Sequence, residues 1–483
     1  MKYLSLALLI FLQITISAGQ TKQTVAKERS VVDLTIYNQN LSLIREEREI
    51  DLSRGISSVI IPDIPSTIDG TSLHFLSLTD PLSVRVLEQS YQYDLVNQVK
   101  LLEKYVEREV EFIRLNEETK KEYTVRGKLL SSSFSGGLVA EINDKVEINP
   151  KGWLVLPSLP EGLILKPQLE WLVESTKPGK HKTEISYLAG SLSWNANYVV
   201  LLNKQDSKLD LTGWVTIMNN SGTTFNDAGL KLVAGDINIV EKDLKRFRTT
   251  MDMSMKAAEP QFQQTELFEY KLYTLQRRTT IKNNETKQIE LISGKEVDAK
   301  KVFLYDGLAD QWRYWLNDYS YRDQGSFGQQ SNQKVGVFVL FKNEATAGLG
   351  IPLPKGKVRV YKRDDDGKEQ FIGEDQIDHT PKDEELKLYL GNAFDIVGER
   401  TQKDFKSFAG GRIVEETIEI KIRNHKKEPV EVLIYEHPWR WSEWDITKIT
   451  DKWNKVDQST IKIPVYVGKD EEKVVTYTIR YSW

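Results

Sequence analysis

The 483-residue chain has no cysteine, which excludes disulfides, thiolate metal sites and a thiol nucleophile. Histidine is scarce as well. Its five residues, His74, His181, His379, His425 and His437, stand too far apart for a short-range zinc motif. There is no HExxH and no GxSxG nucleophile elbow, since Gly190-Ser191-Leu192-Ser193 lacks the second glycine. Neither sign of charge prevails. With 66 basic against 70 acidic residues and a net charge of -4, the chain carries no nucleic-acid footprint. A long apolar run is missing everywhere except at the start.

That start has the pattern of an export leader. Lys2 is followed by an apolar stretch from Leu4 to Ile16 and by the small residues Ser17-Ala18-Gly19. The stretch is short for a permanent span, and no cysteine follows it to carry a lipid. The expectation is a leader over 1–19 and a periplasmic or secreted chain with no integral span once the leader is removed. Such a chain reaches a membrane only through a partner.

The rest alternates polar and apolar residues at period two, punctuated by glycine turns. In VEETIEIKIRN, Ile418, Ile420 and Ile422 share one face while Glu419 and Lys421 share the other, the signature of a strand with one wet face. The expected fold is all-β, a multi-domain β-sandwich or barrel-like architecture with minor short helices. Val96, Val99, Leu102 and Val106 recur at helical spacing and predict one such helix. The pattern divides into an N-terminal β-sandwich over 28–94, a small β domain with the helix over 95–150, a central β domain over 151–350 and a C-terminal β-sandwich over 351–483. Polar insertions near 241–262 and 320–333 interrupt the central unit and read as mobile loops.

Several stretches resemble a known family. SYLAGSLSWNANYVVLL, LTGWVTIMNNSG, FKNEATAGLGIPLPKGKVRVYKRDDDG and FIGEDQIDHTPKDEELKLYLGNAFDIVGER, in a region of about residues 188–483, are similar to the bacterial mucoidy-inhibitor-like family of unknown function, DUF4139. The resemblance implies an exported, all-β bacterial protein and brings no activity with it. Better-known members carry a coiled coil ahead of this region; this chain has no heptad run of that length.

Two groups of residues have the chemistry of a site. HPWRWSEWDI places Trp439, Trp441 and Trp444 among Arg440, Glu443 and Asp445, and on an extended chain Trp439 and Trp441 share a face. Large flat rings of this kind either pack between domains or stack on a partner's surface or a sugar. Trp312 and Trp315, one helical turn apart in DQWRYWLND, allow the same two readings. The second group is acidic. Asp364 and Asp366, with Glu374 and Asp378 beyond them, offer oxygen ligands for calcium. An EF-type loop fails, because setting Gly367 at position 6 puts Lys362 at position 1 and Gly373 at position 12. An Asp-Gly hairpin turn explains that glycine better, and turn capping explains Asp378 before His379-Thr380-Pro381.

With no recognised catalytic set, the leading reading is a non-catalytic envelope or surface scaffold that binds a protein or polysaccharide. Trp439, Trp441, Trp444, Trp312 and Trp315 are its candidate contacts. A divalent-metal-dependent hydrolase or lyase acting on envelope polymer is the alternative, built on Asp364 to Asp378. A third reading is a subunit that assembles into homo-oligomers by strand addition at sheet edges.

Overall fold

The computed structural model describes residues 22–92, 95–133, 137–160, 163–235, 261–267, 270–309, 311–315, 324–325 and 331–483. The leader over 1–19, the insertion near 241–262 except its last two residues, and most of 320–333 lie outside the described residues.

Among the described residues thirty strands form four sheets, with short helices at Gln98–Tyr105 and Gln311–Trp315. The architecture is therefore all-β and multi-sheet. Among the described residues no sheet closes into a barrel.

The first two sheets face one another. One has four strands in the order Lys22–Val25, Gly55–Pro62, Gln168–Ser175 and Val84–Gln92. The other brings Val31–Tyr37 and Leu41–Leu52 together with Gly179–Gly190, Phe225–Ala234 and the short edge strand His74–Ser77. Alternation turns Leu34, Ile44, Val59, Ile61, Trp171, Ile185 and Tyr187 inward, all at most 1% exposed. Each aliphatic residue buried this way contributes about 1.5–3 kcal/mol. This interior also holds charge: Glu46 accepts from Arg48 Nε at 3.0 Å and from Arg29. Removing Glu46 would leave the buried Arg48 without its counter-charge.

A third, five-stranded sheet runs Lys145–Ile148, Gly137–Ile142, Glu122–Ser133, Glu109–Leu115, Trp153–Val155. The helix Gln98–Tyr105 covers one of its faces, placing Leu102, Tyr105 and Val106 on Val110, Phe112, Leu129 and Ile142. Asn97 caps that helix, its side chain accepting from Lys100 N at 3.0 Å.

The fourth sheet has thirteen strands. Two of them are exceptionally long, Glu285–Asp306 and Glu385–Phe408. The first part of Glu285–Asp306 pairs with Lys208–Asn219, its last part with Lys334–Lys342 and Val430–Glu436. Leu386 and Leu388 accordingly belong to the same core as Trp171, whereas Ile396 lies in a second core with Ile418, Ile434, Ile463 and Tyr477.

Strand pairing thus crosses the lines drawn at 94, 150 and 350. Residues 31–77 hydrogen-bond to 179–190 and 229–233, so the 28–94 stretch shares its core with later strands. The third sheet extends through Trp153–Val155, past 150. The C-terminal core takes Phe303, Tyr305 and Val335 from before 351. The reason is physical: alternation is the same on both sides of each line, and pairing between distant strands leaves no local mark.

Candidate functional site

The strand Val430–Glu436 runs straight into the segment His437 to Glu443, which returns to the sheet as the edge strand Trp444–Ile449. This segment divides the candidate tryptophans into two sets.

Trp312 and Trp439 are buried, at 9% and 8% exposed, in a small cluster with Leu308, and Trp315 packs against them. Trp312 stacks on the His437 ring, centroids 4.3 Å apart and planes 11° apart. Trp315 lies against Trp439 at 4.9 Å, and the Arg440 guanidinium sits over Trp439 at 4.4 Å. With their faces occupied by His437, Arg440 and one another, these rings are packing elements.

Trp441 and Trp444 are half-buried. They rest on the C-terminal core and each meets a second tryptophan: Trp441 tilts against Trp483 at 6.3 Å, and Trp444 against Trp453 at 6.4 Å. Lys455 Nζ stands over Trp444 at 4.7 Å, and the Trp444 indole donates to Gln458 O at 2.9 Å. The edge strand pairs with Glu471–Ser482 on one side only among the described residues. Two pairs of partly exposed indoles therefore rest on the C-terminal core, one of them including Trp444 of the edge strand. Trp453 and Trp483 were not anticipated, because each stands alone in sequence and only the antiparallel return of the chain brings them to Trp441 and Trp444.

Beneath this belt lies a buried charged network. Arg400 Nε donates to both carboxylate oxygens of Glu436, which also accepts from the Tyr477 hydroxyl. Glu416 accepts from Arg440 Nη2 at 3.0 Å and Gln402 Nε2 at 2.6 Å. Burial favours the neutral form of Glu416, but Arg440, Arg400 and Gln402 outweigh it and hold the carboxyl below its ordinary pKa. Burial and the Glu436 charge push the Tyr477 hydroxyl well up. His437 Nε2 lies 3.1 Å from Asp306 Oδ2, and Asp306 Oδ1 accepts from Leu308 N and Ala309 N, so one carboxylate fixes the ring and the turn leading to Trp312. Nothing in the sequence tied Arg400, Glu416 and Glu436 together, since their strands meet only across the sheet. The two glutamates are each engaged by an arginine, an arrangement that braces strands and positions the segment 437–443.

The acidic candidates fall on separate contacts. Asp364 closes a hairpin turn, accepting from Lys368 N and Gln370 Nε2, both at 2.8 Å, with Gly367 at φ 78°. Asp366 is exposed. Glu374 faces Lys357 and Arg359 across the hairpin, at 3.1 and 3.5 Å. Asp378 lies 3.5 Å from Lys355 Nζ, and His379 Nδ1 accepts from Lys355 N at 3.1 Å. Among the described residues no three carboxylate or histidine side chains gather where they could hold a metal ion. No helix among them is long and apolar enough to cross a membrane.

No family model matches the chain, and no curated protein matches it.

Proposed function

We propose that this chain is a non-catalytic, exported component of a bacterial cell envelope, a β scaffold that holds a protein or polysaccharide partner at the edge strand Trp444–Ile449. The observation that carries the reading is the belt of Trp441, Trp444, Trp453 and Trp483, four indoles kept partly in water beside a core that has room for rings such as Tyr477 and Tyr481. Rings of this kind supply large contact area at low entropic cost, to a protein hot spot or to the face of a sugar. The braced network beneath them adds stiffness, which lowers the ordering cost of binding. The export-leader pattern and the family likeness point the same way.

The test is retention of the tagged chain on envelope polysaccharide and on solubilised envelope protein, compared with Trp444→Ala and Trp453→Ala. The reading predicts at least a tenfold loss of one of these two interactions in both variants, each still folded at the assay temperature with a single cooperative melting transition. Unchanged retention of both variants on both materials would overturn it.

A further inference from the structure

A second site, independent of the tryptophan belt, is built around Lys387. Strand pairing sets Lys387 opposite Leu340 and Tyr389 opposite Phe338, so that the two pairs share one face of the largest sheet. The Lys387 ammonium stands 4.3 Å from the centre of the Phe338 ring and 5.5 Å from that of Tyr435. The Tyr389 ring tilts against Phe338 at 5.2 Å and is 40% exposed. Aromatic faces hold a cation in place without neutralising it. Lys300 and Lys342, on the same face, are paired with Glu431 at 3.4 Å and Glu344 at 2.7 Å, whereas Lys387 has no carboxylate in ion-pair contact among the described residues. Burial beside the rings pushes its pKa down, against the pull of Glu385 two residues away.

The geometry points to Lys387, Phe338, Tyr389 and Tyr435 as a binding site for an acidic polysaccharide, whose uronic acid units bring a carboxylate to the ammonium and a pyranose face to the Tyr389 ring. Two observations select that occupant. An uncompensated cation calls for an anion and a half-exposed ring for a flat apolar face, and a uronic acid carries both on one sugar. The backbone at the site, in contrast, is already spent. Lys334–Lys342 is hydrogen-bonded to a strand on each side, and so is Val430–Glu436. The Tyr389 amide donates to Asp375 Oδ2 at 2.7 Å, and Asp375 Oδ1 accepts from Gln376 N at 2.8 Å. An extended peptide therefore finds no strand edge here to add to, while a sugar needs only the side chains.

The experiment is isothermal titration of the full chain with polygalacturonate and with hyaluronate, two polymers of uronic acids, and with the methyl ester of the first and polyglutamate as comparisons. Saturable binding of at least one uronate polymer is expected, at least tenfold weaker for its carboxyl methyl ester, for polyglutamate and for the variants Lys387→Met and Tyr389→Ala. Lys387 is exposed, so Lys387→Met keeps the test open if Tyr389→Ala does not fold. Lys145→Met, which removes an exposed lysine from a different sheet, should bind as tightly as the unsubstituted chain. No binding of either polymer at millimolar uronate, equal binding of the methyl ester or of polyglutamate, unchanged binding by Lys387→Met, or an equal loss in Lys145→Met would each overturn the proposal.

Discussion

Arg400 directs its Nε between the two carboxylate oxygens of Glu436, at 3.0 and 2.9 Å, with the carboxylate 1% and the arginine 11% exposed. The pair joins the long strand Glu385–Phe408 to the end of Val430–Glu436, immediately before the segment that carries the tryptophans. Removing one partner of a buried pair leaves the other charge uncompensated, at a cost of about 3–5 kcal/mol. Arg400→Met is therefore expected to lose that amount in urea denaturation, and the double variant Arg400→Met/Glu436→Met to lose clearly less. A single-variant loss below about 1 kcal/mol would show that the pair does not brace the strands.

Acid should attack the same region. The folded-state pKa of Glu416 is depressed, so the stability it supplies is complete above the unfolded carboxylate value of about 4.3 and is lost as pH falls through the lower folded value. Below that value the carboxylate no longer balances Arg440. Melting temperature followed from neutral pH downward should fall over this acid range, and Glu416→Gln, although less stable at neutral pH, should show a flatter acid limb. An identical slope in both proteins would remove Glu416 from the account.

The two tryptophan sets should separate by measurement. Trp312→Ala opens a cavity under His437 and is expected to cost about 3–5 kcal/mol, whereas half-buried Trp444→Ala should cost about 1–2 kcal/mol. Equal costs in chemical denaturation would mean that the belt is packing and that its exposure carries no binding role.

Two glycines in this half of the chain make contrasting demands. A Cβ at Gly398 would collide with the Tyr305 ring, which lies across the long strand at that point. Gly398→Ala should destabilise by about 1–3 kcal/mol through overpacking. Gly367 has open space around it but a φ of 78°, so Gly367→Ala should cost only about 1–2 kcal/mol of backbone strain. Since Asp364 is spent on the same turn, millimolar calcium or EDTA should leave the melting temperature unchanged; a rise with calcium would restore the acidic cluster as a metal site.

Much of this fold was legible along the chain. Ile418, Ile420 and Ile422 are all fully buried, as their alternation required, and the helical spacing from Val96 to Val106 corresponds to the helix Gln98–Tyr105. The Asp-Gly turn at 366–367 could be read because its chemistry is local. What could not be read depends on pairing across the sheet. Ser42 faces Ala189 and Leu34 faces Gly229's neighbour Leu230, contacts that no periodicity announces. The site followed the same division. Trp441 and Trp444 were visible as a motif, but Trp453, Trp483, Arg400, Glu416 and Glu436 reach it from strands and connecting segments spread over the last third of the chain. Equally, adjacency in HPWRW could not reveal that Trp439 turns inward while Trp441 stays half in water. That choice is made by Arg440 and Trp315 closing on the Trp439 ring.

The most direct test of the scaffold reading is site-specific photocrosslinking in intact cells, with a photoreactive amino acid placed at Trp444, at Trp453 and, as a control, at the exposed Asp365. The account predicts one discrete adduct shared by positions 444 and 453 and absent at 365, with its mass identifying a protein or polysaccharide partner. Adducts that are the same at all three positions, or missing from 444 and 453, would contradict it.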